Sequence, residues 1–227
     1  MLEYLHRVSS RSRSIKLSIL PSGELQVSTP PHTPTFFIER FLEQQKDWIQ
    51  QHQQHVLARP HFYDANQVTI FGKEYAIIIR SSDSTPSQVE TTTSEVIVHL
   101  LKTGKILTPK EKAAKIKKLI EAFLKQTATH YIVRRTQQLG AQMHTQYFGL
   151  TLREQKSRWG SCSSKGNLNF NWRLVHFPTE IIDYVIVHEL AHRTHMNHSA
   201  SFWNLVGIYD PDCPKHKGWL KRFGGAD

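Results

Sequence analysis

The sequence predicts an α+β protein built from two parts. Short runs of period-two alternation fill the first hundred residues, a long amphipathic helix opens at Thr108, and a strongly apolar helix around residues 181–190 carries histidines. At 227 residues the chain can bury a sizeable core. The pattern changes from strands to helices near residue 105. The expected division is therefore a small N-terminal α+β module over 1–105 and a second, catalytic domain over 106–227.

Taken in order, Ser14 to Leu20 alternates as a strand, and Gly23 turns the chain into a second strand at Leu25-Gln26-Val27. Pro34 opens a helix expected to reach Ala58, with Phe37, Phe41, Trp48 and Ile49 inward. Gln67–Phe71, Glu74–Arg80 and Glu95–Leu101 read as strands, the first two joined at Gly72-Lys73. The polar stretch Ser81 to Thr93 is a loop with a short strand at Gln88-Val89. Thr108-Pro109-Lys110-Glu111 makes a capping box with proline at the first helical position. The helix it opens runs to about Leu139, with a buried stripe of Ala113, Ile116, Leu119, Ile120, Phe123, Leu124, Tyr131 and Ile132. Phe148 to Arg153 is a strand leading into a hairpin that turns at Lys165-Gly166-Asn167. From Asn167 on, Leu168, Phe170, Trp172 and Leu174 share one face and Asn169, Asn171 and Arg173 the other. Asp210-Pro211 and Pro214 break the chain before a terminal helix containing Trp219.

The chemistry concentrates in His188-Glu189-Leu190-Ala191-His192. Ile181, Ile182, Val185, Ile186, Val187 and Leu190 make the surrounding helix apolar enough to be buried, with Pro178 near its start. Two histidines and a glutamate in such a helix need a reason, because unpaired polar burial is costly. Positions i and i+4 share a face, so both imidazoles can reach one metal ion. Glu189 then stands where it can take a proton from a water in the metal's remaining position. This is apparatus for metal-assisted hydrolysis of an amide or similar bond.

His195 and His198 compete for the third ligand position. On a continuing helix His195 would lie about 10 Å along the axis from His188, too far for both rings to meet one zinc at about 2.1 Å. A turn out of the helix near Asn197, a residue that tolerates the left-handed C-cap, favours His198 and leaves His195 at the rim. Ser199 caps a following helix from Ala200 to about Tyr209, whose Phe202, Trp203, Leu205 and Val206 can pack under the site. The spacing to His198 matches the long metzincin motif. That motif's glycine is His195 here, however, and Met196 is the last methionine, so no Met-turn can follow.

Arg158-Trp159-Gly160-Ser161, the alternating strand from Asn167, Asp183-Tyr184-Val185, the histidine helix and Asn197-His198-Ser199 with Phe202-Trp203 together resemble the YgjP-like metallopeptidase family, related to SprT-like zincins. Ser28-Thr29-Pro30, Trp48-Ile49, Phe71-Gly72-Lys73 and Trp219-Leu220 extend the resemblance toward both ends. It implies a zincin-like catalytic domain with one zinc per chain on His188, His192 and His198, and Glu189 as general base. Histidine ligands would also accept manganese, cobalt or nickel. A peptide or protein substrate is expected, and a nucleotide (UTP) pyrophosphatase activity has also been attached to the family. The hairpin strand could hold an extended peptide by main-chain hydrogen bonds, helped by Asn169 or Asn171. Candidates for stabilising charge on the substrate oxygen are Arg158, His195, Tyr209 and His216.

The net charge of +10 raises non-specific nucleic-acid binding as a third function class. Lys102, Lys105, Lys110, Lys112, Lys115, Lys117 and Lys118 crowd one stretch, and the bland account is a solvated helix face. Phosphoanhydride cleavage would have to use the same histidine site, because the sequence has no phosphate-binding glycine loop ending in Gly-Lys-Ser/Thr. No apolar run approaches the length of a membrane span. The two cysteines, Cys162 and Cys213, lack metal-binding spacing and fit a reducing cytoplasm.

Overall fold

A computed structural model describes residues 2–20, 23–57, 63–102, 107–155 and 158–223. The chain divides into two compact units, Met1–Pro60 and His61–Lys221, with its last residues shared between them. The change of pattern near residue 105 does not coincide with that division. Val96, Val98 and Leu100 belong to the same buried cluster as Ile120, Leu124 and the histidine helix, so the strands before 105 and the helices after it share one core. Residue 105 itself, with Lys105, lies outside the described residues, as does Ala58.

In the first unit, β1 (Leu5–Val8), β2 (Lys16–Ile19) and β3 (Leu25–Thr29) form a sheet in the order β1-β3-β2. Central β3 alternates cleanly, with Leu25, Val27 and Thr29 buried. The exposed β1 carries no alternation and was not legible in the sequence. The single helix expected from Pro34 is two helices, α1 (Thr35–Gln44) and α2 (Lys46–Leu57), broken at Gln45. The inward face is also shifted. Ile38, Leu42 and Ile49 are buried against β3, whereas Phe37 is 56 % and Trp48 36 % exposed. Branched aliphatics at i, i+4 and i+11 complete this small core with Leu25 and Val27, and the rings of Phe37 and Trp48 are left outside it.

The second unit begins with β4 (Gln67–Ile70), β5 (Lys73–Ser82), β6 (Gln88–Thr91) and β7 (Glu95–Leu101), ordered β4-β5-β7-β6. Phe71 (φ 52°) and Gly72 (φ 77°) form the tight β4–β5 turn, two successive left-handed residues of the kind that suits a twisted hairpin. Helix α3 (Pro109–Gln142) starts with the expected capping box: Thr108 accepts from the Glu111 amide, and Glu111 from that of Thr108. Its buried stripe is Ile120, Leu124, Ala128, Ile132, Thr136 and Leu139, later along the helix than expected, and Ala113 is exposed. Lys110, Lys112, Lys117 and Lys118 lie exposed on its first turns, as a solvated face requires.

Strands β8 (Gly149–Arg153), β9 (Gly160–Cys162) and β10 (Asn167–Asn171) make a third sheet in the order β8-β10-β9. The alternating run from Asn167 is thus its central strand, parallel to β8 and antiparallel to β9, so its edges are not free to take a peptide. The run also stops early. Trp172–His176 winds into a 3-10 turn capped by Asn171, and Trp172, Leu174, Val175 and His176 are all buried. Two bonds tie that turn to β4: Phe71 N–H to the Val175 carbonyl (2.7 Å) and His176 Nδ1 to the Thr69 carbonyl (2.7 Å). Three helices complete the unit: α4 (Thr179–Ala191), α5 (Ala200–Tyr209) and α6 (Cys213–Phe223). No helix among the described residues is long and apolar enough to cross a membrane.

Candidate metal centre

Helix α4 is the axis of the site. Burial of Ile181, Ile182, Val185, Ile186, Val187 and Leu190 sets its position in the core. One polar clamp sets its rotation against α3: Arg135 Nε lies 2.9 Å from both Asp183 carboxylate oxygens, and the Tyr131 hydroxyl donates to Asp183 at 3.2 Å. The helix ends at Ala191, with His192 as its C-cap in right-handed geometry (φ −63°). The Arg193, Thr194 and His195 amides return to the Leu190 and Ala191 carbonyls. The turn therefore comes before Asn197, and Asn197 is not in the left-handed region expected of it. Ser199 caps α5 by accepting from the Phe202 amide, and the short connection brings His198 back over His188.

His188, His192 and His198 converge. One ring nitrogen from each lies within 4.8 Å of the others, and Nε2 of His188 and His198 are 3.1 Å apart. Phe202, fully buried, forms the floor: its ring centroid is 4.9, 4.6 and 4.8 Å from those of His188, His192 and His198. Trp203 stacks on His198 at 5.6 Å, so α5 does pack under the site. Burial pushes the His188 imidazolium down to about 3 and also lowers that of His192. Both rings are therefore neutral near pH 7 and carry a free lone pair. His192 Nδ1 donates to the His195 carbonyl at 3.1 Å, which leaves its Nε2 as the lone pair open to a metal.

These residues fit a metal. Two imidazole nitrogens on a tetrahedral zinc stand about 3.4 Å apart, close to the separation of His188 and His198. Nδ1 of His188 is buried without a hydrogen-bond partner, ringed by Tyr184, Phe202 and Trp203. Such a ring is costly to keep unless its other nitrogen holds something stronger than a neighbouring histidine. A donor set of three imidazoles suits zinc.

Glu189 stands beside the histidines, 6 % exposed. Desolvation pushes its carboxyl up to about 8, while the Arg158 guanidinium and the Cys162 amide pull the other way. A divalent cation among the histidines would add a further pull toward the carboxylate. The close approach of Glu189 to β9 depends on Gly160, where a Cβ would stand 2.6 Å from Glu189 Oε1. The cavity over these groups measures about 380 Å³ and is lined further by Arg158, Ser161, Cys162 and Met196.

Of the residues expected to contact substrate, Arg158 lies in this cavity. Asn169 faces the Ser161 hydroxyl at 3.4 Å, Asn171 is taken up by the Gln155 carbonyl and the Arg173 amide, and neither lines the cavity. His195 contributes its backbone carbonyl to His192. His216 is buried and paired with Asp210 at 2.9 Å, and Tyr209 closes α5; neither lines the cavity. Gly160 and Cys162 were missed. Both lie in the Arg-Trp-Gly-Ser-Cys run, but their proximity to Glu189 arises from strand pairing that no local pattern encodes.

No curated protein matches the chain. Among solved structures it is similar to the metallopeptidase zymogen jannalysin of Methanocaldococcus jannaschii, at 23 % identity over 40 % of this chain and 93 % of that one, with a TM-score of 0.37. The abylysin zymogen of Pyrococcus abyssi is similar at 20 % identity over 40 % of this chain and 97 % of that one, with a TM-score of 0.35. Residues 13–223 match the YgjP-like metallopeptidase domain, nearly the whole length of the chain, and the chain belongs to that family.

Proposed function

We propose that the chain is a zinc-dependent peptidase with a zincin-like site, holding one zinc on His188, His192 and His198 with Glu189 as general base. The observation that carries this reading is the convergence of three histidine side chains, two of them held neutral by burial, beside a buried carboxylate in one open cavity. A zinc ion bound there would supply Lewis acidity to a substrate carbonyl and acidify water. The chain's own residues do the rest. Glu189 accepts the proton of the attacking water at its carboxylate and returns it to the leaving amine. Its raised proton affinity suits a group that must both take and give a proton near neutral pH. Arg158, at the cavity wall, is placed to receive the charge that grows on the substrate oxygen. The two free thiols fit a cytoplasmic protein.

The test compares wild type with Glu189→Gln on one preparation. Metal content is read by mass spectrometry and turnover on peptide and UTP panels. One equivalent of zinc in both proteins, with peptide cleavage in wild type alone, supports the reading. Zinc-dependent UTP hydrolysis without peptide cleavage would replace the substrate class, and metal-free protein at neutral pH would remove the site.

A further inference from the structure

We infer that Arg193 forms a carboxylate subsite beside the metal cavity, which takes an acidic side chain or the free C-terminus of a peptide substrate. This rests on the peptidase reading and names part of its specificity. The cavity is bounded by β9, which ends at Cys162, and by the last turn of α4, which His192 caps. Arg193 is the next residue, and its guanidinium stands against the Cys162 side chain. Burial and the Glu189 carboxylate push that thiol up, while the Arg193 charge pulls against them. A peptide lying in the cavity therefore meets this guanidinium where it passes Cys162.

The surroundings hold the guanidinium in one place. Its Nε donates to the Gln146 carbonyl at 3.1 Å. It lies over the Phe148 ring, 5.9 Å from the centroid. It also lies against Gly166, where a Cβ would stand 2.7 Å from Cζ and 3.0 Å from Nε. Gly166 is left-handed (φ 81°), and its carbonyl accepts from the Phe148 amide at 2.9 Å, so the turn and the chain at Phe148 are tied together. A side chain ordered beforehand loses less freedom when a ligand arrives. Nε and this packing suffice to pin α4 to the hairpin, and they leave the rest of the head group unused. Among the described residues no carboxylate pairs with Arg193, and its two terminal amino groups donate to no oxygen. The residue is half-buried, so its charge is partly desolvated and lacks a counter-ion. The one acid lining the cavity is Glu189, which the peptidase reading commits to the proton. A planar fork with free N–H groups matches a carboxylate, which is the anion an unmodified peptide can offer. Phe148, 82 % exposed, adds ring surface beside the fork for the methylenes of an aspartate or glutamate.

Two measurements on the zinc-loaded full chain test this. The first is cleavage of paired peptides carrying aspartate or asparagine at each position around the cut, with free and with amidated C-termini. Wild type, Arg193→Gln and Arg193→Glu are compared, with zinc content and melting temperature as controls. Wild type is expected to favour the acid over the amide at one position by about tenfold in kcat/KM. A preference seen in amidated peptides assigns the subsite to a side chain, and one confined to free ends assigns it to the C-terminus. The ratio should fall to about one in Arg193→Gln and turn toward lysine in Arg193→Glu. The second measurement needs neither turnover nor a variant: NMR of the arginine side-chain Nε–H groups of wild type. The probes are the α-amide of N-acetyl-aspartate, N-acetyl-alanine, and N-acetyl-asparaginamide as the neutral control. At least one acid should shift the Arg193 resonance, and the neutral amide should not. If no peptide is cleaved but an acid alone moves that resonance, the subsite stands and the peptidase reading falls. Cleavage without an acid preference, a preference that survives Arg193→Gln, or a resonance that no acid moves beyond the neutral amide overturns the subsite.

Discussion

In Gly160→Ala the new methyl would stand 2.6 Å from Glu189 Oε1, 2.7 Å from Cγ and 2.9 Å from Cδ. Ordinary carbon contacts begin near 3.4 Å, so the carboxylate must retreat by about 0.8 Å. The backbone at Gly160 is not left-handed, so alanine adds steric pressure without conformational strain. The Glu189 side chain is the part that can yield, and the retreat takes it away from the Cys162 amide and out of line with the histidines. Misplacing a catalytic group by about an ångström costs on the order of 10- to 100-fold in rate, and kcat is expected to fall by that amount. Zinc affinity should hold, because the ligands come from α4 and the connection to α5, not from β9. The assay pairs kcat on the best-cleaved peptide with zinc competition against a chelator and a thermal melt. A variant within twofold of wild type in kcat, fully loaded with zinc, would refute the argument that β9 positions the base.

Three further outcomes follow from the same geometry. His198→Ala should lose its equivalent of zinc in dialysed protein, whereas His195→Ala should keep it, because His195 serves His192 through its backbone carbonyl. Burial holds His176 down at about 4, so the unfolded chain takes up its proton near pH 6.5 and the folded chain does not. Stability is unaffected above pH 6.5 and falls as pH drops through the window from 6.5 to 4, by roughly 3 kcal/mol in total. Urea unfolding across that range should show a steeper loss for wild type than for His176→Gln, and equal slopes would contradict the assignment. Asp183→Asn leaves the Arg135 fork without its charged acceptor on a partly buried helix contact, and should lower unfolding free energy by about 2 kcal/mol in a denaturant titration.

The parts legible in the sequence are those whose signal is local. The Thr108 capping box, the Ser199 cap and the period-two run of β3 each sit within a few residues, and each stands where expected. The β4–β5 turn falls at Phe71-Gly72, one residue before Gly72-Lys73, and β10 starts at Asn167 as expected. Errors came where packing overrides pattern. The alternation through Trp172 and Leu174 reads as strand, yet burial of Val175 and His176 alongside them requires a turn that points successive residues inward. Phe37 and Trp48 read as core, but the helices of the first unit give its core Ile38, Leu42 and Ile49 beside Leu25 and Val27 of β3, and hydrophobicity carries no information about that volume. The boundary near 105 followed a change in element type, while the shared core of β7 and α3 ignores it.

The site shows the same divide within a few ångströms. His188, Glu189 and His192 are one helical turn, so their spacing specifies their common face. His198 depends on a turn after the helix, which ends earlier than expected and without a left-handed residue, and its ring nitrogen lies within 4.8 Å of those of His188 and His192. The surroundings that fit Glu189 to its proposed role come from elsewhere in the chain. Gly160 permits the carboxylate's approach, the Cys162 amide and Arg158 stabilise its charge, and the hydrogen bonds that place them run from β9 to β10. The ladder bonds there, Ser163 N–H to Asn167 and Asn171 N–H to the Trp159 carbonyl, turn residues 159, 161 and 163 toward β10. Gly160 and Cys162 are left facing away from it, toward α4 and the cavity. A shift of one residue in that register would present Ser161 to Glu189 and remove both the clearance and the amide. The proposed metal ligands are thus specified by one helix and its exit turn, while the setting of the proposed base depends on the register of a three-residue strand.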